Sequence, residues 1–245
     1  MNSAIRQSPG PAVIEIYWKS RHDLLPGTAA FRASLSPEER ERSQRYLAAR
    51  KTTDFILGRG FLRAVLALYT GGTGREINLI TRSEGKPALP GDPLAFNLSH
   101  SGEIFLIAVA GSGEVGVDIQ EIYPISNPAR LAEKYFSAAE NRQLAAVMPD
   151  LAREAFFNCW VRKEAYLKGL GTGLRGRMDQ ISIIPDPEPG RFRVLDPGEN
   201  HPPAPWTVVG LEVPPGYCAA AALRSSKLIL RDRSADPLLT TARFS

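Results

Sequence analysis

The sequence LSPEE at residues 35–39 is repeated in similar form as FSAAE at residues 136–140, and this internal repeat predicts the architecture. In each segment a Ser is followed three residues later by a Glu, which is the pattern of a capping box at the first turn of a helix. Ser137 lies 101 residues after Ser36. A repeat at that spacing in a chain of 245 residues indicates two halves of similar plan.

Other elements recur around the two caps in the same order. A β-type run, Val13 to Tyr17, precedes the first cap, and Val115 to Ile119 precedes the second. Long helical patterns follow, from Thr52 to Tyr69 and from Arg153 to Lys168, and β-type runs come after each of them. We therefore predict an α+β fold, a pseudo-two-fold duplication of an α+β half. Each half has a small antiparallel sheet and a long packed helix, and the active cleft lies between the halves.

The predicted boundaries are an N-terminal half at residues 1–112, a C-terminal half at 113–228 and a loosely held tail at 229–245. Gly71 and Gly169 mark the predicted ends of the two long helices. Chance similarity between two ordinary α+β segments is the alternative to a duplication.

Composition bounds the class of protein. Hydrophobic residues make up 43% and charged residues 23%, which is typical of a soluble globular protein with a core. No apolar run approaches the ~20 residues of a membrane span, and the first residues lack the apolar core of a signal peptide, so we expect a cytoplasmic protein without a membrane role. The net charge of +4 suggests an anionic partner: nucleic acid, a polyphosphate cofactor or an acidic protein.

Three residues could form a site for phosphate chemistry. Glu164 and Lys168 lie four apart on one helix face, and Asp118 ends a short β-type run. Two such carboxylates can share one Mg²⁺, and a Lys one turn away can meet a phosphate. The ordinary alternatives are a turn Asp, a solvated Glu and a helix-surface pair.

The first half offers several groups that could hold phosphate. Lys86 and Pro87 lie in a turn after a Gly, and Ser99 and His100 lie in a polar segment that we expect to be a phosphate-binding turn after a strand. Arg50 belongs to a basic stretch before the long helix. A surface turn, a hairpin loop and a solvated helix face are the corresponding structural alternatives.

Four segments together resemble the 4′-phosphopantetheinyl transferases of the larger, surfactin-synthetase-activating (Sfp) type. They are GKP at 85–87, FNLSHSG at 96–102, GVDI at 116–119 and WVRKEAYLKG at 160–169. The resemblance implies a pseudo-dimeric, monomeric enzyme whose cleft binds coenzyme A and Mg²⁺. It implies transfer of the 4′-phosphopantetheine group to a Ser of an apo acyl or peptidyl carrier protein, with release of 3′,5′-ADP.

The same resemblance implies roles in metal binding and catalysis. Asp118 and Glu164 would hold the Mg²⁺, and Lys168 would contact the phosphate under attack. Glu164, or a water held by it, would be the general base. Many members carry a second acid two residues after the Asp, where this chain has Gln120, so Gln120 is expected as an uncharged third ligand.

The resemblance also implies how coenzyme A is held. The adenosine 3′-phosphate end would be bound by Lys86 with Pro87 and by Ser99 with His100. Arg50 would also contact that phosphate. Two rivals stay open: a basic nucleic-acid or carrier-protein binding module without catalysis, and a coenzyme A binder that has lost transfer. The first is disfavoured because nothing resembles a known nucleic-acid motif, and the second because Asp118, Glu164 and Lys168 are all present.

Overall fold

The computed structural model describes residues 7, 10, 12–82, 85–172, 178–198, 205–236 and 239. Its helices are α1 (Arg21–Leu24), α2 (Thr28–Ser34), α3 (Pro37–Gln44), α4 (Ala49–Thr70), α5 (Pro128–Tyr135), α6 (Ala138–Ala145) and α7 (Ala152–Leu170). Its strands are β1 (Val13–Ser20), β2 (Ile80–Thr81), β3 (Pro87–Ala88), β4 (Ala95–Ser101), β5 (Ile104–Ala110), β6 (Val115–Glu121), β7 (Ser182–Pro185), β8 (Arg191–Leu195), β9 (Trp206–Gly210), β10 (Tyr217–Arg224) and β11 (Ile229–Asp232). The predicted α+β class is confirmed.

The strands form two main sheets. The first has the order β11-β1-β5-β4 and the second β6-β10-β9-β8-β7, while β2 and β3 pair separately. All pairs are antiparallel except β1 with β11, which run parallel. The segment 229–232, predicted to belong to the tail, is therefore the edge strand of the first sheet.

Three apolar clusters stack the elements into layers. The first lies between α4 and one face of the first sheet, and it includes Phe61 on α4 and Ile107 on β5. The second joins the other face of that sheet, including Leu106, to Val117 and its alternate neighbours on β6. The third lies between α7 and the outer face of the second sheet. The two sheets thus pack face to face, and each long helix covers one outer face.

Helix α7 lies unusually close to β6 because two glycines meet there. A Cβ atom on Gly116 would lie 1.9 Å from the carbonyl oxygen of Ala165 and 2.4 Å from the nitrogen of Gly169. Only a residue without a side chain fits, so Gly116 fixes how near the helix comes to the strand. Asp118 lies two residues further along the same face of β6, so the close packing of α7 on β6 also places Asp118 next to α7.

Side chains, rather than a backbone ladder, join the edge strands β4 and β6. The N–H groups of Val117 and Ile119 donate to Asn97 Oδ1 at 3.0 Å and Ser99 Oγ at 3.4 Å, and Glu121 N–H donates to Ser101 Oγ at 3.0 Å. These alternate β4 residues all point at β6. The seam closes one side of the sandwich and brings first-half residues against the second-half strand.

The predicted repeat has a structural counterpart at the caps. Ser36 caps α3 and Ser137 caps α6, and each forms the complete capping box with the Glu three residues later. Both caps precede a long helix that covers a sheet. The recurrence of elements agrees with the predicted plan, and the two-fold relation between the halves stays a prediction.

Two local predictions are wrong. Helix α7 runs through Gly169, where a Cβ atom, if present, would lie only 2.6 Å from the Trp206 ring. The helix ends at Gly171, whose φ of 75° suits a left-handed cap. Ser99 and His100 lie inside β4 and not in a turn after it; the turn comes at Gly102, with φ of 55°.

Across the residues described here, no helix combines the length and apolarity that crossing a membrane requires.

Candidate functional site

Asp118, Lys168 and Ser99 form a closed triangle of hydrogen bonds at the seam. Lys168 Nζ lies 2.6 Å from Asp118 Oδ1 and donates to Ser99 Oγ at 2.8 Å. Ser99 Oγ also donates to Asp118 Oδ1 at 2.8 Å. Asp118 and Ser99 are buried, whereas the Lys168 side chain keeps 28% exposure. The Lys168 side chain is therefore partly open to solvent, while its ammonium binds two buried groups.

The local sequence explains why these groups meet. Gly116, Asp118 and Gln120 alternate along β6 and share the face toward α7. Glu164 and Lys168 lie one helical turn apart on the facing side of α7. The predicted combination of Asp118, Glu164 and Lys168 is thus present as one cluster.

Glu164 is the unusual member of the cluster. It is only 9% exposed, and its Oε1 atom has no hydrogen-bond partner among the described residues. Burial, followed by the negative charge of Asp118, raises the pKa of Glu164 to about 7, while Lys168 opposes the shift. The site holds two carboxylates close enough to repel each other.

The donor set fits a divalent cation of the Mg²⁺ type. Lys168 and Ser99 both bind Oδ1 of Asp118, so Oδ2 keeps no hydrogen bond within the described chain, and Glu164 Oε1 is equally available. Carboxylate oxygens are the ligands that Mg²⁺ prefers, usually with several waters. No cluster of three His, Cys, Asp or Glu suited to a metal occurs in the described ranges.

Gln120, the expected third ligand, is half-buried on the same strand face. Its amide nitrogen lies 3.4 Å from the carbonyl oxygen of Glu121, which is a long contact. The side chain can therefore turn toward the cluster without losing a strong bond.

Lys86 directly precedes β3, and its side chain reaches the first residue of β6. Its Nζ donates to the carbonyl oxygens of Val115 at 3.1 Å and Gly169 at 2.9 Å, so it ties the two halves together. Burial lowers the pKa of Lys86 to about 8. Lys86 and Pro87 line a cavity of about 350 Å³ that also borders Phe96.

His100 and Arg50 lie at the opposite end of the seam. His100 is exposed and stacks on Phe105 with ring centroids 5.3 Å apart. Arg50 donates to the carbonyl oxygen of Gly102 at 3.2 Å and pairs with Glu103 at 2.5 Å, so its charge is already partnered.

The expected grouping of the coenzyme A ligands is not assembled in this arrangement. The Lys86 ammonium binds the carbonyl oxygen of Val115, at the start of β6. His100 is next to Ser99, which accepts from the N–H of Ile119, four residues further along β6. That separation corresponds to roughly 15 Å along a strand. Lys86 and His100 therefore cannot both contact a single phosphate without a rearrangement.

Comparisons with known proteins decide the family. The model of the 4′-phosphopantetheinyl transferase superfamily matches residues 114–222, and that of the 4′-phosphopantetheinyl transferase N-terminal region matches residues 22–112. The chain is 34% identical over 195 residues to 4′-phosphopantetheinyl transferase HetI of Nostoc sp., covering 77% of this chain and 78% of that protein. It is 32% identical over 195 residues to 4′-phosphopantetheinyl transferase Sfp of Bacillus subtilis, covering 78% of this chain and 84% of that protein.

The chain belongs to the Sfp-type 4′-phosphopantetheinyl transferases. The resemblance found in the sequence is confirmed. In this transferase, the superfamily match contains Asp118, Glu164 and Lys168, and the N-terminal match contains Ser99 and Lys86.

Sequence reasoning missed the side-chain seam of this transferase. Asn97 and Ser101 accept β6 N–H groups on either side of Ser99 and so hold Asp118 in register with Ser99. The available signal was the alternation of Asn97, Ser99 and Ser101 in an otherwise apolar strand, which indicates one polar face.

Proposed function

We propose that this protein transfers the 4′-phosphopantetheine group of coenzyme A to a Ser of an apo acyl or peptidyl carrier protein, in a reaction that needs Mg²⁺. One observation carries the proposal: Lys168, bonded to Asp118 at 2.6 Å, lies one turn from the buried Glu164, whose Oε1 atom has no hydrogen-bond partner among the described residues. Two free carboxylate oxygens beside an ammonium match the needs of a metal-bound pyrophosphate.

Asp118 and Glu164 would hold the cation, with Gln120 as an uncharged neighbour. When bound, Mg²⁺ would neutralise charge on the pyrophosphate. Lys168 has a solvent-facing side from which its remaining N–H groups can donate to a phosphate oxygen. Ser99 keeps both Lys168 and Asp118 in place through its two bonds.

The transfer breaks a phosphoanhydride bond of coenzyme A and forms a phosphoester bond to the carrier. The Ser hydroxyl oxygen of the carrier bonds to the β-phosphorus of coenzyme A, the bond from that phosphorus to the bridging oxygen breaks, and 3′,5′-ADP leaves. The hydroxyl proton must go to a base. Glu164, whose pKa is raised to about 7, is ionised in a useful fraction at neutral pH and accepts that proton directly or through a water.

The nucleotide end of coenzyme A has two candidate positions. Lys86 and the cavity beside it offer a partly buried ammonium at one end of the seam, and His100 offers an exposed ring at the other. We propose Lys86 as the principal partner of the 3′-phosphate, because the adjoining cavity of about 350 Å³ can accept part of a nucleotide.

The protein partner is proposed to be acidic. The chain carries a formal net charge of +4, which would favour the approach of a negatively charged carrier helix. We propose that the enzyme acts as a monomer, since Ser99 of the N-terminal region and Asp118 and Lys168 of the C-terminal region meet within one chain.

Intact-mass spectrometry of several apo-carriers with coenzyme A, Mg²⁺ and this protein tests the proposal. At least one carrier should gain the mass of one phosphopantetheinyl group on its Ser. If no carrier gains mass while coenzyme A still binds, the protein is a coenzyme A binder and the proposed transfer is refuted.

A further inference from the structure

Arg162 lies on α7 on the side away from the transfer site. It is two residues before Glu164, so the two side chains leave the helix about 200° apart. Its guanidinium carbon lies 3.8 Å from the centroid of the Phe192 ring on β8. At that distance the planar guanidinium rests on the aromatic face, and the ring holds it while leaving its edge available.

Arg162 is half-buried, and among the described residues it lacks the acidic partner that the fully buried Arg63 and Lys163 have. Arg63 pairs with Glu39 at 2.7 Å, and Lys163 pairs with Glu140 at 2.6 Å. Among the residues described, no carboxylate lies within ion-pair distance of Arg162, and its Nε atom is buried without a hydrogen-bond partner. Burial also lowers the pKa of the guanidinium, which reflects a charge with little compensation.

A cavity of about 250 Å³ opens beside this guanidinium, between α6, α7 and β7–β8. Gln143 and Asn158, two neutral amides able to donate, lie in its wall with Arg162.

Glu140 also borders the cavity, but its carboxylate is already used. Glu140 binds Lys163 at 2.6 Å, the N–H of Ser137 at 2.9 Å and the N–H of Ile183 at 3.0 Å. Of the two charged residues that line the cavity, only Arg162 has no ion pair within the described part of the chain, although the negative charge of Glu140 still acts on it.

We propose that this cavity is a second anion site, which binds a small oxyanion such as inorganic phosphate or a free carboxylate. The guanidinium offers two parallel N–H donors to two oxygens of the anion, and the amides of Asn158 and Gln143 bind the remaining oxygens. The site is separate from the pyrophosphate position because it lies across α7 from Glu164 and Lys168.

The Nε–H group of Arg162 reports occupancy directly. The protein, labelled with ¹⁵N and saturated with coenzyme A to fill the transfer cleft, is titrated with inorganic phosphate and, separately, with acetate. The ¹H–¹⁵N resonance of Arg162 Nε should shift saturably with at least one of the two anions, and the preferred anion identifies the ligand chemistry. A resonance that does not move with either anion would overturn the proposal. This titration uses the unchanged protein and needs no variant.

A matched pair of variants gives a second measurement. Arg162→Met should weaken the phosphate or acetate affinity of the coenzyme A-saturated protein at least about tenfold, because the charge-assisted fork is lost. Arg153→Met removes the same charge from an exposed position on the same helix and should leave the affinity within about twofold. Equal affinities for Arg162→Met and the unchanged protein would contradict the assignment.

Discussion

Lys163 lies 2.6 Å from Glu140 with both side chains buried, and this pair occupies in the second half the place that Arg63 and Glu39 occupy in the first. Each acid closes a capping box, and each cation also donates to two backbone carbonyls beyond its long helix. A buried cation is costly without such a full set of acceptors. The shared arrangement supports the predicted duplication and shows what locks each long helix to the cap before it.

Replacing Lys163 by Met should destabilise the protein by about 3–5 kcal/mol, because Glu140 and two carbonyl oxygens lose their buried cation. Urea unfolding measures the loss. Lys134→Met, an exposed change on α5, is the control and should cost under about 0.5 kcal/mol. A loss below about 1 kcal/mol for Lys163→Met would show that the pair does not anchor the helix.

Replacing Gly116 by Ala should damage both stability and transfer. The new Cβ would meet the Ala165 carbonyl oxygen, so α7 must move away from β6 and pull Lys168 from Asp118. We expect a loss of about 1–3 kcal/mol in unfolding free energy, together with a lower transfer rate. Gly210→Ala is the matched control, since nothing lies within 4 Å of its hypothetical Cβ. Equal behaviour of the two variants would contradict the close-approach argument.

The pH dependence of transfer should report Glu164. Its pKa is raised from the ordinary 4.5 to about 7, so the carboxylate is ionised above pH 7 and protonated below it. At limiting Mg²⁺, where the cation does not hold Glu164 ionised, the rate should therefore fall as pH drops through 7, because protonation removes both the base and the metal ligand. Glu164→Gln should remove most of the activity at every pH. A rate that stays constant from pH 8 to pH 6 would contradict these roles.

The same shift has a consequence for stability. Because the folded pKa is higher than the unfolded one, the folded state binds more protons, and stability should decrease as pH rises from about 4.5 to about 7. Glu164→Gln should weaken this decrease when unfolding is followed without metal. An unchanged pH profile in the variant would place the shift elsewhere.

Lys86→Ala should weaken coenzyme A far more than dephospho-coenzyme A, because only the former carries the 3′-phosphate. Calorimetry with both ligands measures the difference, and His100→Ala is the informative comparison at the other end of the seam. Equal losses for both ligands in Lys86→Ala would move the 3′-phosphate away from the cavity. A selective loss in His100→Ala would then assign it there.

The sequence predicted the parts of this molecule that depend on short spacing. Ser36 and Ser137 predicted the starts of their helices, because a capping box is formed by residues close in sequence. Glu164 and Lys168 were predicted to share a helix face because they lie four residues apart. The seam between β4 and β6 could not be predicted in the same way. Val117 and Asn97 are 20 residues apart and belong to different sheets, so no local pattern specifies their bond.

Tertiary context also overrode two local signals. Gly169 looked like a helix end, but it is the residue that lets α7 pass Gly116 and Trp206. Residues 229–232 looked like part of a tail, yet they pair with β1. A Gly can serve a turn or a close contact, and a strand at a sheet edge whose four residues are all exposed has no burial pattern to reveal it.

Intact-mass measurement of Asp118→Ala decides whether Asp118 belongs to a metal-dependent transfer site. With coenzyme A, Mg²⁺ and an apo-carrier that the unchanged protein modifies, the variant should add the phosphopantetheinyl group at least about 10²-fold more slowly. Asp150→Ala, an exposed change, should retain the full rate, and circular dichroism should show both variants folded. A folded Asp118→Ala protein that modifies the carrier at the unchanged rate under limiting Mg²⁺ would contradict the account.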